Sequence, residues 1–274
     1  MPELAEVLYF SRRWRPGLGE KIVRVHLHSA KRVFRGTATH KLQKKLPGAT
    51  MISCETHGKQ MLFRFGRKGW LGIHLGMTGK LLTESPEHSP GKHDHLVLYT
   101  RRRALVFQDP RLFGRVRFTC SSQSPPWWST LPPGILSRDF SLCRLAAVCR
   151  RRGHTPLKAL LLLQEFFPGI GNWMADEILW QARLDPRTRA GAVDRTGLME
   201  MHRKIRKVSR ESIRIIGRDW SDPPRSWLFL HRWSDGGKCP RCQQGLLRRP
   251  VGGRTTCWCP SCQKPALPRR SLSS

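Results

Sequence analysis

Cys239-Pro240-Arg241-Cys242 and Cys259-Pro260-Ser261-Cys262 are two C-x2-C pairs, each with a proline inside the pair. Four thiolates on two tight knuckles are what a closed tetrahedral zinc site requires, so the spacing predicts one structural Zn2+ held by Cys239, Cys242, Cys259 and Cys262. Between the knuckles, Leu246 to Arg249 and Thr255 to Trp258 flank Val251-Gly252-Gly253-Arg254, the order of two short strands joined by a glycine turn. The metal then stiffens a hairpin with Arg254 at its tip. A ribbon this small buries too little to fold alone, so the metal must supply the stability. A plain staple with a solvated arginine is the alternative reading of the ribbon taken alone.

The rest of the chain bears on what that arginine meets. The 274 residues carry 50 Lys and Arg against 19 Asp and Glu, a formal net charge of +31, with 39% hydrophobic residues. That balance describes a folded protein whose partner is a polyanion, nucleic acid first. No apolar run approaches the ~18 residues that a membrane span needs, and the N-terminus lacks a signal-peptide pattern, so a cytoplasmic protein that leaves membranes alone is expected. Beyond the four ligands, Cys54, Cys120, Cys143, Cys149 and Cys257 have no paired spacing. Such a remainder suits a reducing compartment, with the thiols buried as small hydrophobes and Cys257 at most a spare ligand.

The chain opens Met1-Pro2-Glu3-Leu4-Ala5-Glu6-Val7-Leu8, with Leu4, Val7, Leu8 and Ser11 at helical spacing up to Pro16-Gly17. Removal of Met1 leaves a secondary amine beside a carboxylic acid. A free α-amine titrates near pH ~8, well below lysine, and is therefore a nucleophile at neutral pH, able to form an iminium ion with a sugar carbon while Glu3 serves the sugar oxygen. On these residues alone, a chance proline ahead of an acid-rich helix start is the first reading, and the nucleophile the second.

From Lys21 to Gln108 the period becomes two, with predicted strands at Ile22–Leu27, Met51–Cys54, Met61–Phe65, Trp70–Leu75, Leu96–Tyr99 and Ala104–Phe107. Closely spaced strands of this kind predict an antiparallel sandwich. Its loops hold Lys59 after a glycine, Gly76-Met77-Thr78-Gly79, and Asp109-Pro110-Arg111-Leu112-Phe113-Gly114. A methionine and an Arg-x-Phe pair at loop tips are candidates for wedging into a base stack, although core filler and strand end are the alternatives. His93 and His95 are expected on one strand face, with His93 a phosphate contact, since no further metal ligands stand nearby.

Residues 120–134, rich in Ser and Pro, read as a linker, after which the period turns helical. Predicted helices run over Phe140–Arg152, ending in a basic cluster; over Leu157–Phe167, opened by Thr155-Pro156; and over Trp173–Ala182, capped by Asn172. Pro168-Gly169-Ile170-Gly171 between the last two leaves room for a phosphate at a helix N-terminus, or makes a plain helix corner. A further amphipathic helix, lined with Leu198, Met201, Ile205 and Val208, is expected to end at Gly217.

Pro2-Glu3, His74-Leu75-Gly76-Met77, Lys92-His93-Asp94-His95, Asp109-Pro110-Arg111-x-Phe113-Gly114, Gly169-Ile170-Gly171-Asn172 and the four-cysteine ribbon with Gly253-Arg254 occur in one order. In that order the chain resembles the formamidopyrimidine-DNA glycosylase and endonuclease VIII family of bifunctional base-excision repair enzymes, over residues 2 to about 263. The resemblance implies a multidomain α+β protein: an N-terminal antiparallel β-sandwich with its helix (2–119), the linker (120–134), a helix-two-turn-helix domain (135–232) and a zinc ribbon (233–264); the stretch 265–274, rich in Pro and Arg, reads from its composition as a disordered tail. The resemblance also implies Pro2 as Schiff-base nucleophile, Glu3 as its proton partner, Lys59 in β-elimination and Arg254 in δ-elimination. His74, His93, Arg152, Lys158 and Asn172 fall to DNA contact, while Met77, Arg111 and Phe113 fill the gap left by an everted base. The partner implied is damaged double-stranded DNA, bound by a monomer.

Some positions depart from the family pattern. Ala5 replaces a usual proline, Leu163 stands where an acidic residue is usual, and Cys257 where an aromatic or histidine is common. Gly217 to Leu228 is short for the loop that closes over 8-oxoguanine, which favours ring-opened purines, hydantoins or abasic sites. Oxidised pyrimidines, as in the endonuclease VIII branch, are the second expectation. A non-catalytic DNA binder on the same scaffold and an RNA binder remain the alternatives of other classes.

Overall fold

The computed structural model describes residues 1–264; the expected disordered tail lies outside them. The described residues divide into two compact units, 1–131 and 132–264. No helix among the described residues is long and apolar enough to cross a membrane.

In the first unit, helix α1 (Leu4–Arg13) is followed by β1 (Arg24–Leu27), α2 (Thr39–Lys45), β2 (Met51–His57), β3 (Gln60–Phe65), β4 (Gly69–His74), β5 (Lys80–Glu84), β6 (Asp94–Tyr99), β7 (Ala104–Gln108), β8 (Arg115–Cys120) and the short α3 (Pro126–Ser129). The strands form two four-stranded antiparallel sheets, ordered β1-β6-β7-β5 and β2-β3-β4-β8. The inner faces share one core in which Met61, Phe63, Leu71 and Ile73 of one sheet meet Leu81, Leu96, Leu98 and Phe107 of the other. Residues of alternating hydrophobicity can bury one face only by packing sheet on sheet, so the sandwich follows from the period. Helix α1 packs on β5 and β2, an edge strand from each sheet. Its Phe10 is buried, as is Trp14 just beyond its end, and the Trp14 indole donates to the carbonyls of Leu82 and Val106.

The structure adds three elements that the period did not reveal. β5 and β8 each put few side chains into the core, with Leu81 and Val116 the fully buried ones, and α2 is anchored chiefly by Leu42. The stretch 120–131 belongs to the first unit: Trp127 lies so close over Gly72 that a Cβ there would sit 2.4 Å from the indole, and Arg117 stacks on its ring.

In the second unit, α4 (Leu142–Arg151) is capped by Ser141, whose hydroxyl accepts from Arg144 N; α5 (Leu157–Leu161), α6 (Asn172–Gln181), α7 (Arg195–Asp219) and the hairpin β9 (Leu247–Val251) and β10 (Arg254–Trp258) follow. Helix α6 is buried on nearly every side, enclosed by α5, α7, β10 and the turn Leu228–His231. Helix α5 is shorter than expected because its last turns tighten to Leu162 N→Ala159 O and Leu163 N→Leu160 O. The amide of Gln164 then takes over the following carbonyls, Leu162 O and Ile170 O. Helix α7 runs past Gly217 to Asp219, where Trp220 makes the left-handed cap at φ 60°.

Candidate functional site

Glu3 is the N-cap of α1 and only 2% exposed, locked in a reciprocal capping box with Glu6, whose carboxylate accepts from Glu3 N at 3.1 Å. Two of the backbone amides at the helix start are thereby satisfied, which fixes the direction in which Pro2 leaves the helix. Pro2 itself is half-buried.

Lys59 occupies the second position of a two-residue hairpin loop between β2 and β3, behind Gly58 at φ 56°. A hairpin this tight needs a positive φ at its first central residue, which glycine supplies freely. The lysine is 7% exposed and faces His74 at the end of β4. Burial first, then the charges of Lys59, Arg117 and Arg35, push the His74 imidazole down to about 4. His74 is therefore neutral near pH 7. Its Nδ1 accepts from Gly76 N at 3.0 Å, which leaves Nε2 carrying the proton and able to donate. Arg115 pairs with His74 in register across β4 and β8. Four cations around one neutral donor make a strongly anion-attracting corner.

The two loops at this end of the sandwich are fastened together by Asp109, a residue sequence reasoning passed over. Fully buried, it accepts from Thr78 Oγ1 at 2.9 Å through Oδ1 and from Gly114 N at 2.7 Å through Oδ2, while its own amide donates to His93 O. Gly76, at φ 65°, touches the backbone of Phe113 and Gly114 so closely that a Cβ would sit 2.4 Å away. The result presents Met77 at 39% exposure and Phe113 at 45%, with the Arg111 guanidinium 5.0 Å over the Phe113 ring. Leu112 between them takes φ 58°, a strained value for a side-chain-bearing residue.

His93 is half-buried and lies beside this loop through its carbonyl bond to Asp109. The expected sharing of a face with His95 fails, because a register shift between Asp94 and Leu96 interrupts the alternation. His95 is buried, with Nε2 on Asp109 O at 2.9 Å.

In the second unit, Lys158, expected at a DNA-contact position, has its side chain in the interior. Its side chain is fully buried, and Nζ donates to Asp176 Oδ1 at 2.5 Å and to Asn172 O at 2.6 Å. The other Asp176 oxygen accepts from Arg232 Nη2 at 2.5 Å and from Cys257 N at 3.1 Å. One carboxylate thus ties α5, the approach to the ribbon and strand β10 to helix α6. Nothing in the spacing of Lys158, Asp176 and Arg232 signalled this network.

Asn172 is the first residue of α6, and Gly171 is its N-cap, contrary to the expected Asn172 cap. Its amide instead donates to Thr255 O at 3.0 Å, beside the hairpin tip. That tip, Gly252-Gly253, has φ 59° and 75°, the signature of a tight type I′ turn, and Gly252 packs on Ala159 so closely that a Cβ would lie 2.5 Å from it. Arg254 is exposed next to this contact. Arg152 ends α4 at the surface, paired with Glu165 at 2.9 Å.

The four ribbon cysteines place their sulfurs within 4.8 Å of one another, with pairs at 3.4, 3.5 and 3.9 Å. A tetrahedral site with Zn–S bonds of ~2.3 Å separates its sulfurs by about 3.8 Å, so the cluster fits a metal ion of that kind. The Trp180 indole N–H donates to Cys239 Sγ at 3.4 Å, and Cys262 N to Cys259 Sγ, as donors to thiolates do. Cys257 lies outside the cluster, held by Asp176. Of the other cysteines, Cys149 is buried as expected, but Cys120 and Cys143 are exposed.

Residues 1–116 match the formamidopyrimidine-DNA glycosylase N-terminal domain family, and residues 131–222 the formamidopyrimidine-DNA glycosylase H2TH domain family. A formamidopyrimidine-DNA glycosylase of Geobacter metallireducens is 35% identical over 272 residues, covering 96% of this chain and 100% of the relative. A second, from Solibacter usitatus, is 34% identical over the same shares. Among solved structures, a complex of wild-type Lactococcus lactis Fpg with DNA containing an oxidized pyrimidine superposes with a TM-score of 0.87 at 28% identity, over 96% of this chain and all of that one.

Proposed function

The chain belongs to the formamidopyrimidine-DNA glycosylase family, and from that premise we propose that it excises oxidised or ring-opened purines from duplex DNA and then cleaves the strand, acting in the cytoplasm. Its fold and family make it a DNA glycosylase of base-excision repair with AP lyase activity.

One observation carries the residue-level reading: Pro2 stands directly before a buried Glu3 whose position is fixed by the capping box of α1. With Met1 removed, the Pro2 nitrogen attacks the sugar C1′, the C1′–N bond to the base breaks, and the departing base takes up a proton. Glu3 protonates the ring oxygen as the sugar opens to an iminium ion. Loss of a C2′ proton expels the 3′-phosphate by β-elimination, with Lys59 at hand to steer the charges, and a second elimination at the 5′ side is assisted by Arg254. His74, neutral and a donor, suits a phosphate oxygen at this stage. Met77, Arg111 and Phe113 occupy the gap in the stack, since chemistry on a base inside a duplex requires eversion. The cysteine cluster takes Zn2+, which supplies stiffness to the hairpin and no step of the reaction.

Oxidised pyrimidines form a second substrate class, favoured by the Lactococcus lactis neighbour bound to such DNA. Borohydride trapping on duplexes carrying single lesions tests both. Covalent adducts that Pro2→Gly abolishes and Glu3→Gln impairs support the reading, and mass spectrometry should find Met1 absent from the trapped protein. Nicking of lesion duplex by protein that retains Met1 would overturn it.

A further inference from the structure

A groove at the other end of the sandwich has no part in this chemistry. The wedge loop and His93 sit where β7 ends and β6 begins, while Arg101, Arg102 and Arg103 form the turn at the opposite end of the same hairpin. The length of β6 separates them, about 16 Å at ~3.3 Å per residue. There, the turn faces the segment that follows α1 and leads into β1, enclosing a cavity of about 870 Å³.

The walls of the groove are held firmly. Glu20 N donates to Gly17 O, Met51 N to Glu20 O, Gly19 N to Met51 O and Gly48 N to Ile22 O, and Val23 N is bonded to Tyr99 O. Arg103 donates to Glu20 at 3.1 Å, so the groove's one carboxylate is already neutralised. Lys21, Arg101 and Arg102 are exposed, and no carboxylate among the described residues pairs with them. Beside them, Leu18 is 39% exposed and Val23 48%.

We propose that this groove docks an acidic, aliphatic-bearing segment of a partner protein. A nucleic-acid backbone is met by cations spread along a surface, whereas here the cations border a concavity that also exposes the aliphatic Leu18 and Val23. That pairing suits carboxylates flanking leucine-like side chains. Occupants of like charge are disfavoured: a second copy of the chain carries +31, and residues 265–274 add Arg269 and Arg270 without an acid.

Fluorescence anisotropy of the full chain with a short fluorescein-labelled peptide, rich in aspartate and carrying leucines, tests the assignment at physiological salt. The leucine peptide is expected to bind about tenfold tighter than one with serine in place of leucine. Arg101→Glu with Arg102→Glu should weaken it at least about tenfold, and Leu18→Ser with Val23→Ser should erase the preference for leucine. Borohydride trapping should be unchanged in both variants, and saturating lesion duplex should leave the peptide bound. Equal binding of the two peptides, displacement by lesion duplex, or an equal loss of affinity for undamaged duplex in the arginine variant would each overturn the proposal.

Discussion

Thr78 Oγ1 donates to Asp109 Oδ1 at 2.9 Å, so the loop that carries Met77 and the loop that carries Arg111 and Phe113 move as one piece. The other Asp109 oxygen holds Gly114 N, and the residue is wholly enclosed. The proposed wedge role of an exposed methionine and an exposed phenylalanine requires something that fixes their separation, and this carboxylate supplies it. Asp109→Ala leaves buried donors without an acceptor and should cost about 2–4 kcal/mol of stability. The gentler Thr78→Val should keep the fold, yet lower glycosylase turnover and blur the preference for the base opposite the lesion. Single-turnover kinetics against each opposite base reads this out, and unchanged preference in Thr78→Val would show that the two loops act independently.

The buried pair of Lys158 with Asp176 should behave as a strut. Removing one partner strands a charge in the interior: Asp176→Ala leaves both Lys158 and Arg232 uncompensated, and a loss of about 3–5 kcal/mol in urea denaturation is expected. Lys158→Met should likewise destabilise the second unit, while the slope of DNA affinity against salt stays as in the parent. A phosphate-contacting lysine predicts the reverse, with stability intact and the slope reduced by about one.

These two carboxylates mark where the sequence stopped being legible. The sandwich could be read because six of its strands are short apolar, β-branched and aromatic runs separated by closely spaced turns, and the ribbon because cysteine spacing is constrained by metal geometry. β5 and β8 place too few side chains in the core for their period to stand out. Asp109 stands in a quoted motif, yet neither its tie to Thr78 nor the contacts of Asp176 with Lys158 and Arg232 have a spacing signature, because those partners come from segments distant in the chain. Lys158 was placed at a DNA contact by the family resemblance alone, and only the packing of α5 on α6 shows its side chain enclosed. Asn172 had the chemistry of a cap, but its amide is spent on Thr255 O and Gly171 takes the cap position.

Two buried groups give stability a pH dependence of opposite sign. Burial, chiefly, holds His74 down to about 4 in the fold against 6.5 in a free chain. Above pH 6.5 both states are neutral. As pH falls from 6.5 to 4 the unfolded chain takes up a proton that the fold refuses, and stability drops by on the order of 2–3 kcal/mol. Burial raises Glu177 to about 7, against 4.5 in a free chain. Here stability is full below pH 4.5 and declines as pH rises towards 7, because the unfolded chain releases a proton that the fold keeps. His74→Gln should therefore stabilise the protein at pH 4.5 and not at pH 8, and Glu177→Gln should stabilise it at pH 8 and not at pH 4.5. Urea titrations at the two pH values check both, and a Glu177→Gln effect independent of pH would assign the gain to packing.

Removing the metal should separate affinity from chemistry. The ribbon's own core is small, with Cys239, Cys257 and Cys259 beside Trp180 and Leu228, so most of its stability should come from the metal–sulfur bonds of the proposed zinc site. Without them the hairpin should lose its grip on Ala159 and on the Asn172 amide, and Arg254 should lose its fixed place beside Asn172. Pro2, Glu3 and Lys59 lie in the other compact unit, whose core contains no cysteine ligand. Chelation, or Cys242→Ser, is thus expected to weaken lesion-duplex affinity by at least about a hundredfold, the loss of several charge-assisted contacts. Trapping at saturating DNA should persist at a reduced rate, and added Zn2+ should restore the chelated wild type but not the variant. Chelated protein that binds lesion duplex as tightly as the parent would show that the hairpin folds on its own contacts.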